Sequence, residues 1–181
     1  MEQSERLLFD AAFVSIMESM PEPQRPQLAA RWKALGIDLN KMLPGYPFAV
    51  WCKAIEEAAS LLEGTREERM RKLGHGLVDR FSQSFMGRAL APLARLHGVR
   101  RSLERSPMTF RQTNNYMQAK VERVEPHHVK IRVNEVSPIP DLLAGSIEAM
   151  VLFTGGHRPQ VQFEQGAVDT LYEVRWEDAA S

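Results

Sequence analysis

Apolar residues in the N-terminal part of the chain recur at intervals of three and four, the spacing of amphipathic helices. Gly36 and Gly64 each follow such a segment, and glycine readily adopts the left-handed conformation that ends a helix. Thr65 and Glu68 have the spacing of a capping box, which predicts that a helix starts there. Together these signals predict helices over residues 6–20, 28–35, 47–62, 66–85 and 87–98.

After Pro107 the apolar period changes to two, the period of a strand with one buried face. Turn residues over 125–128 separate two such segments, which predicts a hairpin. A helix introduced by Pro138 and Pro140 follows, and two further strands come after it. The strand positions that we expect to be buried are Met117, Ala119, Val121, Val129, Ile131, Val133, Val161, Phe163, Tyr172, Val174 and Trp176.

This order of elements predicts an α+β fold, with N-terminal helices followed by a mostly antiparallel sheet of about four strands. One helix is inserted in the sheet segment, in the order strand-strand-helix-strand-strand. We expect residues 1–181 to form a single domain, with a helical extension over 1–36 and an α+β core over 47–178. A chain of 181 residues is long enough to bury a core without disulfides or metal.

Composition narrows the range of functions. The chain has 23 basic and 23 acidic residues, and this balance argues against a general binder of nucleic acid or of membrane surfaces. We expect a cytoplasmic protein without a membrane span, because the start lacks the basic and apolar regions of a signal peptide and no apolar stretch is long enough to cross a bilayer. Cys52 is the single cysteine, which excludes a disulfide within the chain.

Motifs of catalysis and of cofactor binding are absent from the sequence. It contains no Gly-x-Ser-x-Gly elbow, no Gly-x-Gly-x-x-Gly, no phosphate loop and no His-Glu-x-x-His. Cys52 lies on the apolar stripe of its predicted helix, which indicates a buried and inert thiol. We therefore expect no catalytic residues, no metal site and no cofactor.

Basic residues are concentrated between positions 65 and 105, where ten of them face four acidic residues. Such a surface suits an acidic protein partner or a phosphate-bearing ligand, although a solvated helical face has the same composition. If the surface binds a partner, the candidate contact residues are Arg66, Arg69, Arg88, Arg95, Arg100 and Arg101.

Aromatic side chains on two neighbouring predicted helices suggest a second kind of site. Trp51, Phe81 and Phe85 could enclose an apolar pocket between helices and sheet, or they could simply fill the core. His75 lies between Gly74 and Gly76. Glycines within a predicted helix suggest the close approach of another helix, and the small neighbours also leave space for a ligand such as haem beside the imidazole. The candidate residues of a ligand pocket are therefore Trp51, His75, Phe81 and Phe85.

Six short sequence motifs are distributed through most of the chain. They are Tyr46-Pro47 with Trp51, Arg71-Lys72-Leu73-Gly74-His75, Gly87-Arg88-Ala89-Leu90, Arg111-Gln112-Thr113-Asn114-Asn115-Tyr116, Ala144-Gly145 and Tyr172-Glu173-Val174-Arg175-Trp176. In this order they resemble a family of unknown function that is expanded as paralogues in myxobacteria, domain-of-unknown-function family 2378. The helix-then-sheet order of that family is similar to that of four-vinyl-reductase-type ligand-binding domains, TRAPP transport subunits and, more loosely, haem nitric-oxide sensors.

The resemblance and the missing catalytic motifs imply a non-enzymatic signalling or adaptor module that binds a protein partner. That partner could be a signalling scaffold or a small Ras-like GTPase whose nucleotide exchange it regulates. The resemblance also implies a homodimer or a hetero-oligomer. The alternative is a sensor domain that binds a small apolar ligand, or haem, between its helices and its sheet.

Overall fold

The computed structural model describes residues 5–178, without the side chains of residues 106–112. Helices come first and the main sheet follows. The helices are α1 (Asp10–Ser19), α2 (Arg25–Ala34), α3 (Phe48–Ser60), α4 (Arg66–Gln83), α5 (Phe85–Thr113) and α6 (Pro140–Phe153). The strands are β1 (Leu7–Phe9), β2 (Gly45–Pro47), β3 (Ala119–Glu125), β4 (His128–Val133), β5 (Gly156–Gln165) and β6 (Thr170–Asp178).

The main sheet has the strand order β3-β4-β6-β5, and every neighbouring pair is antiparallel. The α+β class and the order strand-strand-helix-strand-strand are therefore confirmed. In the register between β4 and β6, Val129 faces Val174 and Ile131 faces Tyr172. All four are buried, so the alternating pattern places one face of the sheet against the helices.

Two clusters of buried residues form the interior. The helical cluster is centred on Phe13, whose ring centroid lies 4.8 Å from that of Tyr46, 4.9 Å from that of Trp51 and 5.8 Å from that of Trp32. The sheet cluster combines apolar residues of β4, β5 and β6 with the second half of α5. Helix α6 belongs to both, because Leu142 packs in the helical cluster and Ile147 in the sheet cluster.

The predicted helix over residues 6–20 is wrong for its first turn. Leu7–Phe9 form strand β1, which pairs with β2 and places Leu8 opposite Tyr46. The side chain of Asn115 accepts a hydrogen bond from the Leu7 backbone N–H at 2.8 Å and donates one to the Glu5 carbonyl at 2.9 Å. These long-range bonds hold the segment extended, so its local apolar pattern does not decide its structure.

The predicted end of a helix at Gly98 is confirmed, because Gly98 has φ 74° and ψ 172°, which lies outside the helical region. A second helical segment, which the sequence did not predict, follows this kink and completes α5 to Thr113. After the kink, Val99 and Leu103 are buried in the sheet cluster. Before the kink, large apolar side chains such as Phe85 point to solvent. Glycine allows this bend because it lacks the Cβ atom that disfavours positive φ.

The capping box at the start of α4 is confirmed. The Thr65 side chain accepts from the Glu68 N–H, and the Glu68 carboxylate accepts from the Thr65 N–H at 2.8 Å. Within residues 5–178, the length and apolar content of every helix fall short of what a bilayer crossing requires.

Candidate functional site

Helices α4 and α6 touch through their backbones. A Cβ atom at Gly74 would lie 2.1 Å from the Leu142 carbonyl oxygen, and one at Gly145 would lie 2.2 Å from the Arg71 carbonyl oxygen. The Ser146 hydroxyl lies 3.2 Å from the carbonyl oxygen of Gly74 and 3.0 Å from that of Leu142. The expectation that Gly74 permits close approach of another helix is therefore confirmed, and the second helix is α6.

A charged cluster surrounds this crossing. Arg71 on α4 forms ion pairs with Glu67 at 3.2 Å, with Asp141 at 3.5 Å and with Glu148. Its Nη2 also donates to the carbonyl oxygen of Val161 on β5 at 3.1 Å. One guanidinium thereby connects α4, α6 and the main sheet.

His75 belongs to the same cluster. Its Nε2 lies 3.0 Å from the Glu148 carboxylate, which also binds Arg71, so Glu148 holds two α4 side chains at once. Burial raises the pKa of the nearby Asp141 carboxyl, and the Arg71 guanidinium opposes that rise. The cluster is a network in which Arg71 and Glu148 each have more than one partner.

A second charged contact joins the N-terminal segment to the sheet. Arg6 Nη2 lies 2.5 Å from Glu135 Oε1, and the guanidinium lies over the rings of Phe48 and Tyr116, at 4.4 and 4.6 Å from their centroids. Glu135 is buried, and its Oε2 has no hydrogen-bond partner among the described residues. Burial raises the pKa of this carboxyl, against the lowering effect of Arg6.

A cavity of about 260 Å³ lies between α3 and the segment that leads into α6. It is lined by Leu35, Cys52, Lys53, Glu56, Glu57, Pro138 and Ile139. Arg66 borders it by binding the Glu56 carboxylate and donating to the Pro138 carbonyl oxygen at 2.9 Å. The lining surface is mostly apolar and the cavity is open to solvent, and its volume is just below the range of roughly 300–1,000 Å³ that is usual for small-molecule sites.

The thiol of Cys52 lies on the wall of this cavity. Burial raises its pKa to about 12, with a smaller contribution from the negative charge of Glu135. This rise favours the protonated thiol at neutral pH and disfavours the thiolate that a nucleophile or a metal ligand requires. Its side chain contributes to the lining of the cavity.

A second cavity of about 420 Å³ lies at the sheet edge. Five of its seven lining residues are polar or charged, and the Arg132–Asp169 ion pair at 2.8 Å forms part of its wall. Its lining residues are Gln118, Ala119, Lys120, Arg132, Asn134, Val168 and Asp169. This polar groove lies away from α6, so we consider the Cys52 cavity the better candidate.

The four residues of the predicted ligand pocket occupy different surroundings. Trp51 is buried against Phe13 in the helical cluster, and His75 binds Glu148. Phe81 is 43% exposed, and Phe85 is 81% exposed. None of the four lines either of the two cavities described above. The sequence did not predict the cavity beside Cys52, because its walls come from three segments that are separate in the chain.

The predicted partner-binding arginines divide into two groups. Arg66 binds Glu56 and Pro138, Arg69 donates to the Thr65 carbonyl oxygen at 3.3 Å, and Arg88 donates to the Gln83 carbonyl oxygen at 2.7 Å. The second group is exposed and forms no ion pair with a carboxylate of the described chain; it consists of Arg95, Arg100 and Arg101.

The fold is similar to that of solved H-NOX domains. An oxygen-binding H-NOX domain related to soluble guanylate cyclases, in its oxygen complex, shares 12% identity with a TM-score of 0.66, covering 93% of each chain. A structure concerned with haem redox potential and porphyrin distortion gives the same values. An H-NOX protein from S. oneidensis, in the Fe(II) state, shares 6% identity with a TM-score of 0.74, covering 96% of this chain and 98% of that one.

These neighbours correct the resemblance at the level of fold. They are H-NOX domains, whereas the helix-then-sheet order had suggested four-vinyl-reductase-type domains and TRAPP subunits first and haem nitric-oxide sensors only more loosely. At such low identity the likeness concerns the fold alone. No curated protein matches the sequence.

The side chains of this chain do not fit a haem in the arrangement described. A haem requires an axial ligand, such as a histidine nitrogen, beside a cavity that accepts the porphyrin. Three imidazoles have Nε2 within 3.0 Å of a carboxylate oxygen, and the other two histidines line neither of the two cavities. The close pairs are His75 with Glu148, His127 with Asp178 and His128 with Glu173, and the remaining two are His97 and His157. Of the three pairs, His75 with Glu148 has hydrogen-bond geometry.

Membership of a family is shown by the sequence itself. The model of the family described as Protein of unknown function (DUF2378) matches residues 2–177, which is nearly the whole chain. The sequence motifs that resemble this family include the two glycines that touch at the α4–α6 crossing, Gly74 and Gly145. They also include Arg71 and His75 of the charged cluster. The chain belongs to the DUF2378 family.

Proposed function

We propose that this chain is a sensor domain that binds a small, compact, largely apolar ligand other than haem. The observation that carries the proposal is the position of the Cys52 cavity, at the start of the helix shared by both core clusters. The H-NOX-like fold supports it, since a neighbour with this fold is described as oxygen-binding. The fold therefore favours a sensor over the adaptor suggested by the missing catalytic motifs.

The cavity has one wall on α3 and another on the residues that precede α6. Cys52 belongs to the first wall, and Pro138 and Ile139 belong to the second. A ligand that fits between them favours conformations in which the two walls keep a particular separation, because a ligand shifts an equilibrium only through differential contacts. Binding therefore acts on the position of the first turn of α6.

Helix α6 can transmit such a change to the rest of the molecule. Its first turn packs in the helical cluster through Leu142, its middle touches α4 at Gly145, and its later turns pack in the sheet cluster through Ile147. The backbone contact at Gly145 leaves little freedom for α6 to slide, so a displacement at Ile139 becomes a tilt about the crossing. A tilt changes the distance between Glu148 and its partners on α4.

The output of such a sensor is a contact with another molecule. Regulation of a small Ras-like GTPase, attachment to a signalling scaffold, and assembly as a homodimer or hetero-oligomer stay predictions. Among the arginines predicted to bind a partner, Arg95, Arg100 and Arg101 are exposed and available for such a contact.

Ligand binding can be tested with toluene and indole as compact apolar probes. We expect either probe, at a concentration about 100 times its Kd, to stabilise the wild-type protein by about 2.7 kcal/mol, measured as a rise in Tm. Cys52→Phe fills the cavity and should abolish the rise. Cys52→Ser keeps the volume nearly unchanged and should preserve it.

Leu35→Phe fills the cavity from another wall and serves if Cys52→Phe does not fold. Unchanged stabilisation in both folded filling variants, or no stabilisation of the wild type by either probe, would disprove this site. Haemin is the matched test of cofactor choice. We expect its absorption spectrum to stay that of free haemin when protein is added, and a sharp Soret band removed by a single histidine substitution would overturn the exclusion of haem.

A further inference from the structure

The first half of α5 carries an apolar face that the rest of the described chain leaves uncovered. Phe85 is 81% exposed and Leu96 is 82% exposed. At 3.6 residues per turn, the apolar residues of this face lie within about 140° of the helix circumference. Together they are Phe85, Met86, Leu90, Leu93 and Leu96, and their exposure ranges from 40% to 82%. Single exposed apolar residues are ordinary, whereas a contiguous set of this kind marks an interaction site.

The kink at Gly98 explains why this face points outward. After it, Val99 and Leu103 hold the second half of α5 in the sheet cluster. Before it, the helix touches the protein through small residues: Gly87 is buried and Ala91 and Ala94 are half-buried. A Cβ atom at Gly87 would lie only 1.9 Å from the Phe81 carbonyl oxygen, so the start of α5 is held against the end of α4. The apolar face is therefore presented on a fixed helix.

Arginines that form no ion pair with a carboxylate of residues 5–178 accompany the apolar face. Arg88 and Arg95 lie about two helical turns apart on one edge of it. Arg100 and Arg101 follow the kink, and neither forms an ion pair with a carboxylate of the described chain. The only acidic residue between positions 85 and 105 is Glu104, which already binds Arg123. Although the total charge of the chain is balanced, the surface around the first half of α5 is therefore cationic and apolar.

We propose that the first half of α5 docks on an anionic lipid surface. Its apolar face enters the boundary between headgroups and acyl chains, and its arginines bind lipid phosphates, as in other interfacial amphipathic helices. A second copy of the chain fits less well, because its own α5 supplies arginines and no free carboxylate opposite them. The side chains protrude from a convex helix, and neither described cavity includes an α5 residue, which suits a surface that deforms around them.

Co-sedimentation with vesicles tests this proposal on the full chain. We expect the wild type to bind vesicles of equimolar phosphatidylglycerol and phosphatidylcholine, and not vesicles of phosphatidylcholine alone. Phe85→Ser with Leu96→Ser should remove most of the binding. Arg88→Gln with Arg95→Gln should weaken it by about fivefold for each arginine and reduce its dependence on salt.

Val136→Ser with Val168→Ser is the matched control, since these exposed valines lie outside α5, and it should bind as the wild type does. The proposal is overturned if the wild type ignores anionic vesicles, or if the α5 variants, checked to be folded by circular dichroism, bind them undiminished. It is also overturned if sedimentation velocity without lipid shows a dimer that Phe85→Ser with Leu96→Ser dissociates, because the face is then a contact between copies. Because the cavity variants leave α5 unchanged, failure here does not affect the ligand proposal.

Discussion

The α4–α6 crossing and the Arg6–Glu135 contact both join distant parts of the chain through an arginine and a carboxylate, but they are built differently. At the crossing, Arg71 has three carboxylate partners and a carbonyl oxygen, so the loss of one leaves others. At the other contact, Glu135 pairs with Arg6 as its single cation within residues 5–178, where one of its carboxylate oxygens has no hydrogen-bond partner. The crossing should therefore tolerate changes of charge but not of volume, and the Arg6 contact should do the opposite.

Gly145→Ala should have the largest effect in this comparison. The added methyl would overlap the Arg71 carbonyl oxygen at 2.2 Å, so the helices must move apart. Overpacking of this kind costs typically 1–3 kcal/mol and here we expect about 3 kcal/mol, because both contacting groups are backbone. Urea denaturation followed by circular dichroism measures the loss.

Gly45→Ala is the control, since its Cβ would meet ordinary contacts, the nearest at 3.4 Å, and its stability should change little. A Gly145→Ala protein as stable as the wild type would show that α4 and α6 can separate at little cost, and that added volume at the crossing does not reduce stability.

Arg6→Met should have the next largest effect. It leaves the buried Glu135 carboxylate without its cation, and breaking a buried pair typically costs 3–5 kcal/mol. We expect about 2 kcal/mol at neutral pH, below that range, because the Arg6 side chain is 47% exposed and water screens it. The measurement is again the free energy of unfolding.

The cause can be checked by pH and by a second substitution. Because burial raises the folded-state pKa of Glu135 above its ordinary 4.5, the cost of its charge is absent below that value and develops as the pH rises through the folded-state pKa. The deficit of Arg6→Met should shrink on acidification, and adding Glu135→Gln should remove most of it at neutral pH. A deficit that persists in the double variant would indicate lost packing on Phe48 and Tyr116.

Glu148→Gln should have the smallest effect of the three. Arg71 keeps Asp141 and Glu67 as partners, and the amide oxygen still accepts a hydrogen bond, so we expect a loss of about 1 kcal/mol. Glu177→Gln, at an exposed ion pair with Arg158, should be near neutral under the same denaturation conditions. If Glu148→Gln proves as damaging as Arg6→Met, the multiple partners of Arg71 do not protect the crossing.

Local patterns predicted most of the fold, because helices and antiparallel strands leave their period in the sequence. The capping box at Thr65 and the close approach at Gly74 were both readable from neighbouring residues. Strand β1 was not, since its partners include Asn115, 108 positions from Leu7. A three-residue strand held by distant side chains gives no local signal.

The candidate site was much less predictable than the fold. Glu148 binds His75, which lies 73 positions earlier in the chain, and no residue spacing within α6 predicts that contact. The Cys52 cavity combines residues near positions 35, 52 and 138, of which only Cys52 attracted attention as a chemical group. The α5 surface could be predicted only in part. The sequence shows the excess of arginines, but it does not show that Phe85 and Leu96 are exposed.

The touching glycines have a consequence for how the family can diverge. A larger residue at either Gly74 or Gly145 fits only if the two helices separate, and separation also pulls Arg71 and His75 away from Glu148. The glycine pair and the charged cluster should therefore be inherited together or lost together. A paralogue with a larger residue in place of Gly74 or Gly145 should therefore also lack the carboxylate of Glu148. Comparing paralogues at these few positions would divide the family into members that keep the close crossing of α4 and α6 and members that pack these helices differently.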